Sequence, residues 1–194
     1  MFDAFYSDPH FGHKNIIGFC ERPFKSLNEM HEAFVHNYNA RITASMHVLW
    51  TGDALFKCDR YEGCAILSRL NGRKSIVRGN HDPSISKLFE VGFEMVAEEL
   101  VLQIANEKCR VSHYPYAYTD AERKRKKAQG FYVDDRHAER RPPDKKDEWL
   151  IHGHTHSKRR LGERKMIHVG VDAWDYGPVL VDEVAAIIRA TGVW

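Results

Sequence analysis

The sequence predicts a mixed α/β fold. Apolar runs of strand length alternate with capped segments of helical period, each strand runs into a polar loop, and the composition is that of an ordinary folded chain. With 194 residues, 43% hydrophobic and 29% charged, one domain over 1–194 with a sizeable core is expected. Collagen-like and disordered classes are excluded.

In order, Phe2 to Ser7 reads as a strand, and Ser26-Leu27-Asn28-Glu29 as a capping box opening a helix in which Met30, Phe34 and Tyr38 share a face. His47 to Thr51 is the next strand. Asp59 opens a second helix expected to stop at Asn71-Gly72, and Ser75 to Val77 follows as a strand. Leu100 to Ile104 and Arg110 to Ser112 form a hairpin about an Asn106-Glu107 turn. Trp149 to His152 and Met166 to Val171 are two further strands, and Asp182 caps a final helix, Glu183 to Ala190. Residues at about 116–147 read as a charged insertion. From 121 to 147 there are ten Lys or Arg against six Asp or Glu, although the whole chain carries only +2.

So small a net charge forces neither a nucleic-acid nor a membrane reading. Cys20, Cys58, Cys64 and Cys109 show no C-x-x-C spacing and are expected as reduced thiols. The first residues carry no basic leader or long apolar stretch, so the cytoplasm is the expected location.

Half of the twelve histidines fall in four places, each closing an expected strand: His10, His81, His113, and His152 with His154 and His156. Asp8, Asp53, Asn80 and Asp82 are interleaved with them. Nitrogen and oxygen donors that recur at strand ends can converge on one pocket, which points to metal binding. Asp8-Pro9-His10 and His154-Thr155-His156 place donors at i and i+2, the same side of extended backbone. Gly52 and Gly79 directly precede ligand-type residues, where close backbone approach is needed.

Two partial motifs fail. His31-Glu32-Ala33-Phe34-Val35-His36 sets its second histidine at i+5 rather than i+4, off the helix face a zinc protease requires. His154-Thr155-His156 shares the start of the metallo-β-lactamase pattern, but Lys158-Arg159 stands where Asp-His should follow.

The blocks Asp8-Pro9-His10, Gly52-Asp53, Gly79-Asn80-His81-Asp82, His113 and Gly153-His154-Thr155-His156, in that order, resemble the signature of the calcineurin-like metallophosphoesterases. Ser7 to His13, Ser112 to Pro115 and Val169 to Trp174 are similar to a small bacterial and phage subgroup of that family. The resemblance implies a single-domain four-layer α/β/β/α sandwich and a phosphoesterase with two divalent ions. One ion would take Asp8, His10, Asp53 and His156. The other would share Asp53 and add Asn80, His113 and His154. His81 would bind no metal and would give a proton to the leaving oxygen, with Asp82 as its neighbour.

Two divalent ions about 3.5 to 4 Å apart can stabilise both oxygens of an in-line displacement and generate hydroxide near neutral pH. With Asp8, Asp53 and one hydroxide, a single net positive charge faces the substrate, which suits a phosphodiester. The donor set suits manganese, iron, zinc or nickel over calcium, with manganese the family's choice.

The expected activity is therefore phosphodiester hydrolysis, on cyclic nucleotides or nucleic-acid ends, with no membrane partner. The alternatives are a DNA or RNA nuclease, a phosphomonoesterase or protein phosphatase, and last a non-catalytic scaffold. His13 is a candidate substrate contact or a turn residue, and Lys158, in Ser157-Lys158-Arg159-Arg160, a candidate phosphate contact. The run Arg123 to Lys127, near Phe131 and Tyr132, is either a nucleic-acid contact or a solvated face. Asp172 and Trp174 either buttress the site or pack. His152 is expected to be structural, and His31, His36, His47, His137 and His168 to be surface or satisfied strand residues.

Overall fold

The computed structural model describes residues 1–130, 137–162 and 164–191. Two sheets lie face to face. The first has the order β4-β3-β2-β1-β9, from β1 (Ala4–Tyr6), β2 (His47–Trp50), β3 (Arg73–Val77), β4 (Met95–Ala97) and β9 (Val179–Leu180). Its pairs are parallel except the edge pair β1–β9. The second has the order β5-β6-β7-β8, from β5 (Leu100–Ile104), β6 (Glu107–Val111), β7 (Trp149–His152) and β8 (Met166–His168).

Strand alternation splits the core in two. Ala4, Tyr6, Val48, Trp50 and Ile76 face one way and pack on Met30, Phe34 and Tyr38 of α2 (Leu27–Asn39), Leu67 of α3 (Arg60–Leu67), Leu88 of α4 (Ile85–Glu90) and Ile16 of α1 (Ile16–Phe19). Their neighbours Phe5, Leu49 and Val77 face the other way, onto Val111, Trp149, Ile151 and Ile167 of the second sheet. Val184, Ala185 and Ile188 of α6 (Val181–Thr191) complete that inter-sheet core, where α6 meets the edge strands β5 and β9. On the far side of the second sheet lies α5 (Asp120–Ala128), none of whose residues is buried. It is held there by Arg164, whose Nε stands 3.4 Å from Glu122 Oε1 while Nη1 donates to the Ala117 carbonyl at 3.2 Å. Helices, sheet, sheet and helix give the four-layer α/β/β/α sandwich.

Capping chemistry sets several helix starts. Ser26 Oγ accepts the Glu29 N–H at 3.1 Å, and Asp59 with Glu62 and Thr119 with Glu122 form full capping boxes. Asp182 does not cap α6, because the helix already begins at Val181, and it is Glu183 that accepts the Leu180 N–H at 2.8 Å.

The hairpin turn lies one residue earlier than expected. Ile104 pairs with Glu107, so Ala105 and Asn106 are the central residues, at φ 53° and 63°. Two left-handed centres match the twist of the flanking strands. Alanine pays a Cβ clash there, so Ala105→Gly is expected to raise stability by up to about 1 kcal/mol. The melting temperature should rise by roughly 2–4 °C; a lowered midpoint would contradict this turn geometry.

Within the stretch expected as a charged insertion, the described residues form α5 and a 3₁₀ turn at Ala138–Arg140. Phe131 and Tyr132 lie outside the described residues. No helix among the described residues is long and apolar enough to cross a membrane.

Candidate metal centre

The seven candidate ligands sit just past the C-terminal ends of five strands. Asp8 and His10 follow β1, Asp53 follows β2, Asn80 follows β3, His113 follows β6, and His154 and His156 follow β7. Strands within each sheet run parallel here, so their carboxyl ends open on one side and the loops meet there. Two groups have donor atoms within 4.8 Å of one another: Asp8 with His10 and His156, and Asp53 with His113 and His154. Asp53 Oδ2 lies between the groups, 3.4 Å from His10 Nε2 and 3.4 Å from His113 Nε2.

The backbone departs from the extended conformation expected for the i, i+2 pairs. Asp8, His10, Asp53, His154 and His156 all lie in the left-handed region, with φ between 49° and 69°. This conformation is uncommon outside glycine and is retained where the surroundings over-determine it. The surroundings here leave no slack. A Cβ on Gly52 would collide with His113 Nδ1, one on Gly79 with Asp53 Oδ1, and one on Gly153 with Asp8 Oδ2.

Hydrogen bonds fix which nitrogen of His113 and of His156 faces the centre. His113 Nδ1 donates to the Thr51 carbonyl at 2.8 Å, so its Nε2 carries the lone pair. That Nε2 stands 3.1 Å from Asn80 Oδ1, 3.2 Å from His154 Nδ1 and 3.4 Å from Asp53 Oδ2. Acceptors crowded together need a cation among them, either a proton or a metal ion. Burial alone would depress His113, but the Asp53 carboxylate pushes it up to about 9. His10 is 1% exposed and neither ring nitrogen makes a hydrogen bond among the described residues. A buried imidazole without a partner beside two carboxylates fits a metal ligand.

His156 Nδ1 donates to Asp172 Oδ2 at 2.9 Å, leaving Nε2 for the centre. Asp172 is gripped in turn by Arg22, from Nε to Oδ1 at 2.8 Å and from Nη2 to Oδ2 at 2.9 Å. The same guanidinium donates to the carbonyls of Asp8 at 2.8 Å and Pro9 at 3.1 Å. Arg22 is buried and therefore ties the first ligand loop to the support of His156. Burial opposes ionisation of Asp172, but His156 and Arg22 hold it down at about 2. Cys20 also lies beside His156 and Asp172. Because Arg22 already claims both oxygens of Asp172, this group supports His156.

Charge in the centre is sharply divided. Burial raises Asp8, whereas His113 and His10 overcome burial and hold Asp53 well below the usual carboxylate range. Both Asp8 oxygens accept the His154 N–H at 3.0 Å, tying the two ligand loops together.

His81 is exposed, its N–H donating to Asp53 Oδ1 at 2.8 Å and its ring 5.2 Å from His10 and 5.3 Å from Phe56. Asp82 does not reach that ring among the described residues. Its carboxylate accepts the N–H groups of Asp53, Ala54 and Gly79, each at 2.8 Å, and so shapes the turns that carry Asp53 and Asn80. Burial and then the Asp53 charge raise it to about 6. His13 stacks on Phe56 at 3.8 Å, 5.7 Å from His10. Lys158 is exposed two residues beyond His156 and touches none of the seven among the described residues.

His152 is buried with Nδ1 on the Gly153 carbonyl, and His31 Nε2 accepts the Gly12 N–H at 3.0 Å. Trp174 packs between the sheets and donates to the His168 carbonyl at 2.8 Å. His137, expected as a surface residue, stands 6.2 Å from His154 and 5.7 Å from Tyr114, and Arg140 lies 5.0 Å over the Tyr114 ring. No local pattern marks these two residues. Only the fold brings His137 near His154 and Arg140 over Tyr114.

Residues 4–171 match the family model described as calcineurin-like phosphoesterase superfamily domain. The chain belongs to this superfamily. As a calcineurin-like phosphoesterase it is a metal-binding hydrolase of phosphoric ester bonds. It is similar to an uncharacterised protein of Methanocaldococcus jannaschii, at 29% identity over 94% of this chain and 89% of the relative. It is also similar to the Gene 66 protein of Mycobacterium phage L5, at 27% identity over 88% of this chain and 86% of that protein. A solved Aquifex aeolicus protein of unknown function shares 26% identity, with a TM-score of 0.67, over 95% of this chain and 98% of that one.

Proposed function

We propose that this phosphoesterase hydrolyses phosphodiesters at a centre for two divalent ions. One ion would be held by Asp8, His10, Asp53 and His156, and the other by Asp53, Asn80, His113 and His154. The observation that carries this reading is the crowd of lone pairs around His113 Nε2, with Asp53 Oδ2 equally far from His10 and from His113. Nitrogen and oxygen donors suit manganese, iron, zinc or nickel, and manganese is the ion we favour. Bound there, such ions would polarise a phosphoryl oxygen and supply hydroxide near neutral pH.

The chain's own residues do the rest. Arg22 and Asp172 hold His156, the Thr51 carbonyl holds His113, and Asp82 holds the two turns. His81 is exposed at the rim, within a ring's breadth of His10, where it can protonate a departing alkoxide. Asp82 is a positioning residue, because its oxygens face backbone. His13, 5.7 Å from His10, and the exposed Lys158, two residues beyond His156, are the substrate contacts of this reading. The four cysteines are unpaired, which fits the reducing cytoplasm as the place of action.

Manganese-loaded protein is expected to turn over bis(4-nitrophenyl) phosphate faster than the monoester, and the reverse preference would overturn the diester assignment. His81→Gln should keep its metal while losing about a hundredfold or more in kcat. Metal loss in that variant would move His81 into the ligand set.

A further inference from the structure

Each group of donors has a further imidazole beside it. Next to the first group stand His81, 5.2 Å from His10, and His13, 5.7 Å from His10. Next to the second stands His137, 6.2 Å from His154 with the two rings nearly perpendicular. The ligand rings are tied or enclosed: His113 by the Thr51 carbonyl, His156 by Asp172, and His10 by burial. His137 is only half-buried, and neither of its ring nitrogens makes a hydrogen bond among the described residues.

The turn that His137 opens holds it there. His137 precedes the 3₁₀ turn Ala138–Arg140 at φ 61°, its carbonyl accepting the Arg140 N–H at 2.9 Å. Arg140 reaches over the Tyr114 ring at 5.0 Å and donates to Glu98 Oε2 at 3.2 Å, while the Pro142 carbonyl accepts the Ala117 N–H at 3.2 Å. The Tyr114 ring is 3% exposed and fills the corner among His113 at 4.9 Å, His154 at 5.0 Å and His137 at 5.7 Å. These anchors impose the left-handed backbone at His137, a conformation kept where the surroundings over-determine it. A ring so placed meets whatever lies against the second group. It is not itself a ligand, because its nitrogens belong to neither set of donors within 4.8 Å of one another. Its ring also stands farther from His154 than the ligand His113 does, 6.2 Å against 5.0 Å. The wider gap suits a phosphoryl oxygen rather than a shared ion.

We propose that His137 is a substrate-contact residue, its imidazole N–H donating a hydrogen bond to the phosphoryl oxygen on the His154 side. His81 serves the leaving oxygen beside the other group. His137 keeps its proton, and no bond to it forms or breaks in the reaction. Negative charge on the phosphoryl oxygens grows as hydroxide adds to phosphorus, so this hydrogen bond strengthens toward the transition state. Arg140 and Tyr114 are positioning residues. The charged insertion thereby contributes a residue to the reaction as well as a solvated surface. The inference rests on the two-ion phosphodiesterase reading above.

His137→Asn is the deciding variant, because asparagine accepts left-handed backbone while its side chain stops short of the imidazole's reach. Loaded with manganese, it should keep the parent's metal content and melting midpoint but lose about a hundredfold in kcat on bis(4-nitrophenyl) phosphate. Its affinity for inorganic phosphate, read by calorimetry on the manganese-loaded protein with no turnover, should fall about tenfold. His137→Gln, with a longer amide donor, should recover part of both losses. Arg140→Ala should weaken phosphate binding severalfold with the metal retained. A kcat and a phosphate affinity indistinguishable from the parent's in His137→Asn overturn the proposal and leave the phosphodiesterase reading in place. Metal loss in that variant also overturns it, by making His137 a ligand. A parent protein that hydrolyses no phosphate ester overturns the reading beneath it, and the proposal with it.

Discussion

Arg22→Ala is expected to destabilise the fold by about 3–5 kcal/mol, as breaking one side of a buried ion pair does. Arg22 is 4% exposed and its side chain makes two bonds to Asp172 and one each to the carbonyls of Asp8 and Pro9. Alanine would leave Asp172 with only the His156 donor on Oδ2 and would take the Arg22 donors from Asp172 Oδ1 and from the carbonyls of Asp8 and Pro9. For a chain of this size the melting temperature should fall by roughly 10 °C, read by thermal unfolding. Activity should fall further than stability explains, because His156 loses its anchored partner and the first ligand loop its clamp. Arg22→Lys should recover only part of both, since an ammonium cannot span Asp172 and the carbonyls with a planar fork. A variant Arg22→Ala that melts within a degree or two of the parent would show that the staple carries little.

Asp53→Asn should abolish turnover with little change in shape. The amide keeps the backbone N–H donated to Asp82 and an oxygen for the His81 N–H. What it loses is the negative charge between His10 and His113, 3.4 Å from each. A loss of at least about a hundredfold in kcat is expected, together with weaker metal retention, since even supporting residues of metal sites commonly cost that much. The checks are steady-state kinetics and metal analysis of the same sample, with circular dichroism confirming the fold. Retained activity would remove Asp53 from the bridging position.

Much of the fold was legible because alternation and caps are local signals. The capping pairs at Ser26 and Glu29 and at Asp59 and Glu62, and the alternation in β1, β2 and β7, lie within a few residues of one another. The strands β4 and β9 carry little local signal because they are short, and all three residues of β4 are only half-buried. The hairpin turn was misplaced by one residue because Asn106-Glu107 looks like a turn pair, while the twist of the strands puts Ala105 in the left-handed position.

That the candidate donors meet at one side of the sheets follows from their recurrence at strand ends, but the side chains that support them leave no such signal. Arg22 meets Asp172 across 150 positions, and no periodicity connects them. The left-handed backbone at five ligands was equally hidden. Glycines announce such conformations in sequence, whereas aspartate and histidine adopt them only when neighbours enforce it. Asp82 was read beside His81 because the two are adjacent, but the chain reverses there and sends the carboxylate into backbone N–H groups.

The central claim is that paired cations gather these seven side chains, and metal stoichiometry joined to anomalous diffraction tests it most directly. After reconstitution with manganese, two ions per chain are expected, one on each side of Asp53, with Asp53→Asn holding fewer. A chain that takes up no metal, or binds it away from Asp53, would contradict the account.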